Sequence, residues 1–494
     1  MGRDRCGRRA GRRLGAAGGG WLPQVVDAPG HPPEARHRLT DSGGRPMTHV
    51  VLVNAWHDDN KGDSAITSGV LRLVEQARPD ADVTVVGLTE GTEPTIVGTR
   101  HVARAHPRSR IRPMPAPTEL RGKRSATPLV DVPIWLARLT GPAAAIATGR
   151  PHRGFAELFA DADLVVGVGG SNLYSDASVN PLVSMARLFT LTIPLRTAAL
   201  MDIPTVLLGH TLGPFPPTRR TTAAMARRML SSATATIVRD QASLKVAADL
   251  ALPGPELAPD MAYAIEPTMS ERVSSVVDGL DVPMRRTAVI AMRAHPSLGP
   301  ADDLRVCREL VVSAQLLRDR GLIDQVLVVA HTLGPTDIED DRPISRTLTG
   351  LLREAGVPVH YLDDDLGPDE LAALYGLAGA MIAVRLHAAV LALLSGTPTF
   401  AIGYFSAKST GVMTSAGLAD CVADFTDITA GRLVDALAPR VGDPDTRGRL
   451  AAISRRHRTR LTSRAADWLH PARPDTTSDT HDTRETGDAH DAHT

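Results

Sequence analysis

Three side chains that could bind an anion follow two apolar runs late in the chain. Arg385 and His387 come directly after the run 381–384, and Lys408 lies in the polar loop after a second run at 399–402. Arginine and lysine bind anions, and histidine titrates near neutral pH. Charged side chains beside apolar runs are costly to bury unless they are paired. The pattern therefore predicts a binding site here, and structural ion pairs are the alternative explanation.

Polar residues and glycines also stand where apolar runs end in the first half of the chain. Gly62 and Asp63 follow the run 49–54 and open a segment with helical apolar spacing. Backbone amides at the start of a helix attract anions, and a glycine lets a ligand come close, although Asp63 would equally serve as a helix cap. The residues that this pattern places near strand ends are Asn60, Gly62, Asp63, Gly170, Ser171, His210 and Arg239.

Several of these residues have ordinary structural interpretations as well. Arg239 precedes Asp240 and could simply pair with it, and His210 alone would be a loop histidine with satisfied hydrogen bonds. Gly169 and Gly170 follow a strand and permit close backbone approach. They are not part of a G-x-G-x-x-G pattern with the helix and acidic residue of a dinucleotide site, so the sequence does not support one.

The apolar runs alternate with helical patterns in two series, which predicts two doubly wound α/β domains. The first series predicts about six strands in a Rossmann-like domain over 47–266, with an irregular, Arg- and Pro-rich insertion at about 101–151 that includes one expected helix at 132–147. After a polar, irregular linker, a second Rossmann-like domain spans 285–445, and a final helix spans 446–470. Two such domains facing across a cleft suggest the GT-B arrangement of glycosyltransferases, in which domain interfaces are favoured ligand sites.

Both ends of the chain lack a periodic apolar pattern. Residues 1–46 are rich in Gly, Arg and Pro, and we expect a disordered extension or an upstream-extended start, with the true beginning at Met47. The stretch after the arginine pairs is too short and glycine-rich for the apolar core of a signal peptide. Residues 471–494 are mostly Asp, Thr and His with nothing to bury, which predicts a disordered tail.

The composition argues against several classes of protein. The 494 residues carry no formal net charge and only 3% are aromatic, which disfavours nucleic-acid binding. The 3 cysteines are far apart and lack metal-like spacing, so we expect no disulfide framework and no metal site. No apolar run approaches the ~20 residues of a membrane helix. We therefore expect a cytoplasmic protein with at most peripheral membrane contact.

Taken in order, the motifs resemble those of the polysaccharide pyruvyl transferase family. The resemblance extends from residue 54 to residue 419 and rests on the order of the pieces rather than on any single one. The early turn departs from the usual G-N-x-G-D because Asp59 precedes Asn60. The pieces are N-x-G-D at 60–63, Gly-Gly at 169–170, G-x-x-x-G-P at 209–214, V-R-D at 238–240, P-D-x-A at 259–262, R-x-H at 385–387, and Gly396, Pro398 and Tyr404 with the following Lys408.

The resemblance implies an enzyme that takes phosphoenolpyruvate as donor substrate, without a further cofactor. Its three-carbon unit becomes a cyclic ketal across two sugar hydroxyls, and phosphate is released. The resemblance implies that Arg239 and Arg385 grip the donor across the cleft and that His387 exchanges protons. It also implies that Lys408 stabilises the departing phosphate and that Asp63 orients or deprotonates an acceptor hydroxyl. The remaining expected substrate contacts are Asn60, Gly62, Gly170, Ser171, His210 and Tyr404.

Two other functions remain open at this point. One is a GT-B enzyme acting on nucleotide sugars, either a glycosyltransferase or an epimerase, because a basic clamp could also hold a diphosphate. The other is a non-catalytic member that keeps the fold as a binding module. The sequence leaves open the acceptor sugar, which could be linked to a lipid carrier or a nucleotide, as well as the oligomeric state and the role of the insertion.

Overall fold

The computed structural model describes residues 48–88, 98–116, 128–175, 180–404 and 406–471, with only the backbone described for residues 128–131, 406 and 407. The sequence-based predictions for residues 1–46 and 472–494 lie outside these ranges. Two parallel sheets, one in each half of the chain, belong to the same compact unit.

The first domain is built on a seven-stranded parallel sheet. Its strands are β1 His49–Ala55, β2 Asp82–Gly87, β3 Arg110–Pro113, β4 Leu164–Val168, β5 Thr205–His210, β6 Ala235–Val238 and β7 Pro255–Leu257. Their order across the sheet is β3-β2-β1-β4-β5-β6-β7. The helices of this domain are α1 Lys61–Ala77, α2 Arg100–Ala105, α3 Pro128–Arg138, α4 Thr140–Ala147, α5 Arg153–Leu158, α6 Pro181–Leu200, α7 Arg220–Leu230 and α8 Gln241–Asp249.

The second domain is built on a six-stranded parallel sheet. Its strands are β8 Thr287–Ala291, β9 Gln325–Val329, β10 Val359–Leu362, β11 Ala380–Ala383, β12 Thr399–Gly403 and β13 Val422–Asp424. Their order is β10-β9-β8-β11-β12-β13. The helices of this half are α9 Glu271–Asp278, α10 Pro300–Asp319, α11 Arg342–Glu354, α12 Pro368–Leu377, α13 Leu386–Leu394, α14 Ser406–Ser415 and α15 Ala430–Leu437. The fold is therefore the two-domain Rossmann-like arrangement that the sequence predicts.

The central strands of both sheets have the continuous apolar pattern of strands that are covered on both faces. Every residue of β4, β5, β8 and β9 is buried. Helices on both sides exclude water from these strands, so Val, Ile and Leu are favourable at successive positions. The edge strands β3 and β7 are only partly buried, and their polar patterns do not mark them as strands. This explains why the pattern predicts about six strands where the sheet has seven.

Three predictions of irregular structure were wrong within the described residues. The linker contains α9, which begins at Ser270, whose side chain accepts a hydrogen bond from the Val273 amide. The insertion contributes β3, which extends the sheet beside β2, and α2, and the single helix expected at 132–147 is instead two helices, α3 and α4. Lys408 lies in α14 rather than in a polar loop. Each of these segments is short, so its period is repeated too few times to stand out in the sequence.

The final helix, α16 Pro444–Leu469, packs against both domains. Its Ser454 hydroxyl donates to the Leu394 carbonyl at 2.9 Å in the second domain. Near its end, Arg464 pairs with Glu256 of the first domain at 2.8 Å. None of the helices in the described part of the chain has the length and apolar character needed to span a membrane.

Candidate active site

The carboxyl ends of the two sheets meet around Arg239, which follows β6 of the first domain. Its guanidinium is buried and donates from Nε to Thr211 Oγ1 at 2.8 Å and from Nη2 to Ser171 Oγ at 2.9 Å. Nη1 donates to Asp260 Oδ2 at 2.7 Å and also lies 3.1 Å from His387 Nε2 of the second domain. Arg239 therefore pairs with Asp260 rather than with its neighbour Asp240, and it joins the two halves of the site.

Asp260 is the buried carboxylate of this cluster. Burial by itself would raise the pKa of Asp260, but the Arg239 charge and a hydrogen bond with His387 outweigh it and hold the pKa well below its ordinary range. The other carboxylate oxygen accepts from the Ala262 amide at 2.9 Å and caps the short 3₁₀ helix Met261–Ala264. Asp260 is thus ionised at neutral pH and fixes the position of Arg239.

His387 is the second residue of α13, which begins at Leu386 directly after Arg385. Its side chain is 15% exposed, and Nε2 lies 3.5 Å from Asp260 Oδ2 as well as 3.1 Å from the guanidinium of Arg239. A neutral ring can accept from the guanidinium through Nε2, and a protonated ring can donate to the carboxylate through the same atom. The surroundings therefore provide a partner for either protonation state, as a proton-exchanging residue requires.

Gly62 allows His387 to pack against the first turn of α1. A Cβ atom at position 62 would lie 2.3 Å from His387 Nδ1, closer than any real contact allows. Asn60 caps this helix by accepting from the Gly62 amide at 3.2 Å, and its amide group donates to Asp63 Oδ2 at 2.7 Å. Asn60 also forms an antiparallel bridge with Thr332 of the second domain. The predicted helix start is therefore part of the interdomain contact.

Two more predicted site residues, Gly170 and Lys408, lie near Asp63. Gly170 has φ +156°, and a Cβ there would lie 3.5 Å from Asp63 Oδ1. The charges of Asp63, Asp240 and Arg239 all act on Lys408. Burial and the positive charge of Arg239 lower the pKa of Lys408 to about 8, against the opposing effect of the two carboxylates. A substantial fraction of its amine is therefore neutral just above physiological pH.

Arg385 is engaged by a buried carboxylate. Its Nε lies 3.0 Å from Asp341 Oδ2, and its Nη2 lies 2.6 Å from Asp341 Oδ1 and 2.8 Å from the Glu339 carbonyl oxygen. Burial by itself would lower the pKa of Arg385, but Asp341 outweighs it and raises the pKa. Because this pair is bidentate, much of the donor capacity of Arg385 serves the protein itself. That Arg385 binds a ligand remains a prediction.

His210 lies beneath the cluster rather than in it. The residue is 1% exposed, and its Nε2 is 3.1 Å from the Gly167 carbonyl oxygen. Burial, helped by the charge of Arg239, lowers the pKa of His210 to about 4 although the carbonyl contact opposes this. The ring is therefore neutral and Nε2 carries the proton donated to the carbonyl. The structure gives His210 a supporting position and does not bring it to the cleft surface.

Arg293 is a further buried cation of the site, and the sequence pattern assigns it no role. It follows β8, is 9% exposed, and its guanidinium lies over the Tyr404 ring, 4.4 Å from the ring centroid. Burial and the nearby Arg385 lower the pKa of Arg293 from its ordinary value. The position after a central apolar strand is the signal that could have singled it out.

Asp59, the residue at which the early turn departs from the usual motif, takes part in an ion-pair network. Its carboxylate accepts from Arg100 Nη2 at 2.5 Å, and Arg100 Nε donates to Asp365 of the second domain at 2.6 Å. The buried Lys61 also pairs with Asp365. In addition, the Asp59 carbonyl accepts from the Leu333 amide at 3.0 Å. This network holds the two domains together beside the site.

The described residues contain no group of three or more His, Cys, Asp or Glu side chains arranged to hold a metal ion. The cluster instead combines positive charge with a histidine. Arg239, Arg293 and Lys408 supply the positive charge, and the histidine, His387, lies within hydrogen-bonding distance of Arg239.

These features define a GT-B-like protein with a cluster of cationic side chains and a histidine between its two Rossmann-like domains. The sequence model of the family "Polysaccharide pyruvyl transferase" matches residues 60–406, so the chain belongs to that family. It is 23% identical to the amylovoran biosynthesis protein AmsJ of Erwinia amylovora over 409 residues, which span 78% of this chain and 90% of that protein. The resemblance stated from the motifs is thereby confirmed.

Two solved structures superimpose on most of this chain. The UDP-GlcNAc 2-epimerase of Neisseria meningitidis, determined with UDP-GlcNAc bound, superimposes with a TM-score of 0.51 at 11% identity, covering 85% of this chain and 97% of that one. A Listeria monocytogenes protein assigned as a UDP-N-acetylglucosamine 2-epimerase gives 0.50 at 11% identity, covering 85% and 94%. At this identity the likeness concerns the fold alone, and it agrees with the predicted GT-B-like class.

Proposed function

We propose that this polysaccharide pyruvyl transferase uses phosphoenolpyruvate as its donor and forms a cyclic ketal on two hydroxyls of a sugar. The methylene carbon of the donor takes up a proton, and C2 becomes electrophilic. One sugar hydroxyl adds to C2, the C–O bond to phosphate breaks, and the second hydroxyl closes the ketal. Of the two hydroxyl protons, one balances the proton on the new methyl group and the other leaves with phosphate.

The contact between Arg239 and His387 across the domain interface carries this proposal. The reaction needs an anion-binding group and a proton carrier at the same donor, and these two side chains lie 3.1 Å apart. They come from different domains, so a donor bound in the cleft would touch both. Asp260 keeps the pair oriented because it contacts both residues.

Lys408 and Asp63 supply the remaining roles in this proposal. Lys408 stabilises the charge that develops on the departing phosphate, and Asp63 orients or deprotonates an acceptor hydroxyl. Asp63 lies against the Asn60 amide and near Gly170, at the side of the cluster formed by the first domain. No resident cofactor takes part in this scheme, because the donor itself carries the transferred group.

A thermal-shift titration with phosphoenolpyruvate, and with uridine diphosphate as comparison, tests the donor. A ligand that binds only the folded protein raises its melting temperature, by an amount that grows with concentration above Kd. We expect a shift with phosphoenolpyruvate and none with uridine diphosphate at equal concentration. A shift with the nucleotide alone would support a nucleotide-sugar enzyme instead, and a protein that binds the donor yet releases no phosphate with any glycan would support a binding module.

The pH dependence of the reaction tests Lys408. Because the lysine charge is present below its pKa of about 8 and lost above it, kcat/KM should fall about tenfold per pH unit on the alkaline side. Lys408→Arg keeps the charge at every accessible pH, so this alkaline decline should disappear even if the maximum rate is lower. Lys245→Arg is the matched control, since Lys245 is exposed and pairs with Asp249 at 2.7 Å. An unchanged decline in Lys408→Arg would assign it to another group.

A further inference from the structure

Arg293 is a buried cation without a carboxylate partner in the described part of the chain. Its Nε is buried and has no hydrogen-bond partner there. The contact that the guanidinium does make is with the face of the Tyr404 ring, 4.4 Å from its centroid. The positive charge of Arg385 acts on it unfavourably. An arginine cannot lose its proton inside a protein, so this charge stays when it is buried.

Three other buried cations in the described part of the chain are each paired with an acid. Arg239 pairs with Asp260 at 2.7 Å, and Arg385 pairs with Asp341 at 2.6 Å. Lys61 pairs with Asp365 across the domain interface. The carboxylates that act on Arg293 through their charge are Asp341 and Glu339. Neither forms an ion pair with it in the described residues, and Asp341 is committed to Arg385. A buried charge without a counter-ion is strongly unfavourable, which indicates that Arg293 obtains one from a ligand.

The register of the second sheet places Arg293 beside the residues already assigned to the site. β8 and β11 are neighbouring parallel strands in which Ala291 aligns with Ala383. Arg293 and Arg385 each stand two residues beyond these aligned strand ends, and the charge of Arg385 acts on Arg293. His387 follows at the start of α13. Arg293 therefore borders the interdomain cluster from the side of the second domain.

We infer that Arg293 binds an oxyanion of the substrate, either the phosphate or the carboxylate of the donor, from the side opposite Arg239. This inference rests on the proposed function and sharpens it. A small donor with two anionic groups needs two cationic clamps, and the sequence assigns the second one to Arg385. The structure gives Arg385 a bidentate protein partner and leaves the Nε of Arg293 unsatisfied, so Arg293 is better placed to serve as the second clamp.

Substituting Arg293→Gln separates ligand binding from a structural role. Without ligand, the variant should melt at or above the wild-type temperature, because an uncompensated buried charge is removed. Arg385→Gln should instead melt lower, because it leaves Asp341 buried without its partner. In the presence of phosphoenolpyruvate, Arg293→Gln should show a Kd raised by roughly 10- to 100-fold, the loss of one charge-assisted contact. Arg346→Gln is the control, since Arg346 also lies over a tyrosine ring but is exposed and pairs with Asp363.

Titrations with inorganic phosphate and with pyruvate decide which group Arg293 holds. Weakened binding of phosphate alone in Arg293→Gln would assign the phosphate to Arg293, and weakened binding of pyruvate alone would assign the carboxylate. Wild-type affinity of the variant for all three ligands would overturn the inference while leaving the donor proposal intact. Phosphate or pyruvate binding that depends on Arg293, in a wild-type protein that ignores phosphoenolpyruvate, would keep the anion site and reject the donor. Failure of the wild-type protein to bind any of the three would reject both.

Discussion

Replacing His387 with glutamine is expected to lower kcat by roughly 10²- to 10⁴-fold, the usual contribution of a positioned acid–base group. Glutamine can keep a polar contact with Arg239 but cannot take up and release a proton. The buried Arg239–Asp260 pair is retained, so the melting temperature should stay close to that of the wild type. Phosphate release with phosphoenolpyruvate and a glycan acceptor measures the rate, and the donor-dependent thermal shift checks that binding persists.

The matched control is His360→Gln. His360 lies 3.5 Å from Asp281, the same distance that separates His387 from Asp260, but it sits on the edge strand β10 and far from the cluster along the sheet. Its replacement should leave the rate unchanged. Near-normal turnover in His387→Gln would remove His387 from the mechanism, and a lost thermal shift would mean that the residue binds the donor rather than transferring a proton.

The convergence of Arg239 and His387 was predictable because parallel strands end at the same edge of their sheet. Arg239 follows β6 and His387 follows β11, 148 residues further along the chain, and both strands are apolar runs with a polar residue at the carboxyl end. Placing the two domains face to face brings these ends together. The ends of buried strands can therefore be predicted from the sequence. Edge strands such as β3 cannot, because half-exposed strands lose the apolar pattern.

The pairing of each charged residue could not be predicted, because it depends on contacts between distant segments. Asp341, the partner of Arg385, is 44 residues away in sequence and lies in a stretch that has no motif character. Motif resemblance alone therefore assigns Arg385 to the ligand and passes over Arg293. Likewise, Asp260 appears in the sequence only as part of a P-D-x-A motif, and its role as the counter-ion of Arg239 emerges from a 2.7 Å contact.

Changing Asp260 to asparagine is expected to destabilise the protein by about 3–5 kcal/mol, since it leaves the Arg239 charge buried and unpaired. Asp260 is 5% exposed as a residue, so solvent does not screen the pair. The Arg239 charge and the His387 contact lower the pKa of Asp260 despite burial, so its stabilising effect is present above the ordinary aspartate pKa and is lost as the pH falls toward the lowered value. Chemical denaturation at neutral pH should therefore show the full difference, and acid should reduce it.

A double variant distinguishes loss of charge balance from general damage to the fold. Arg239→Gln combined with Asp260→Asn removes both charges, so it should recover a part of the stability that Asp260→Asn loses, while transfer stays abolished. Asp249→Asn, on the exposed end of α8, changes a carboxylate in the same way and should alter stability by less than about 0.5 kcal/mol. If the double variant is no more stable than Asp260→Asn, the carboxylate acts mainly by capping the 3₁₀ helix that begins at Met261, and the charge-pair explanation is wrong.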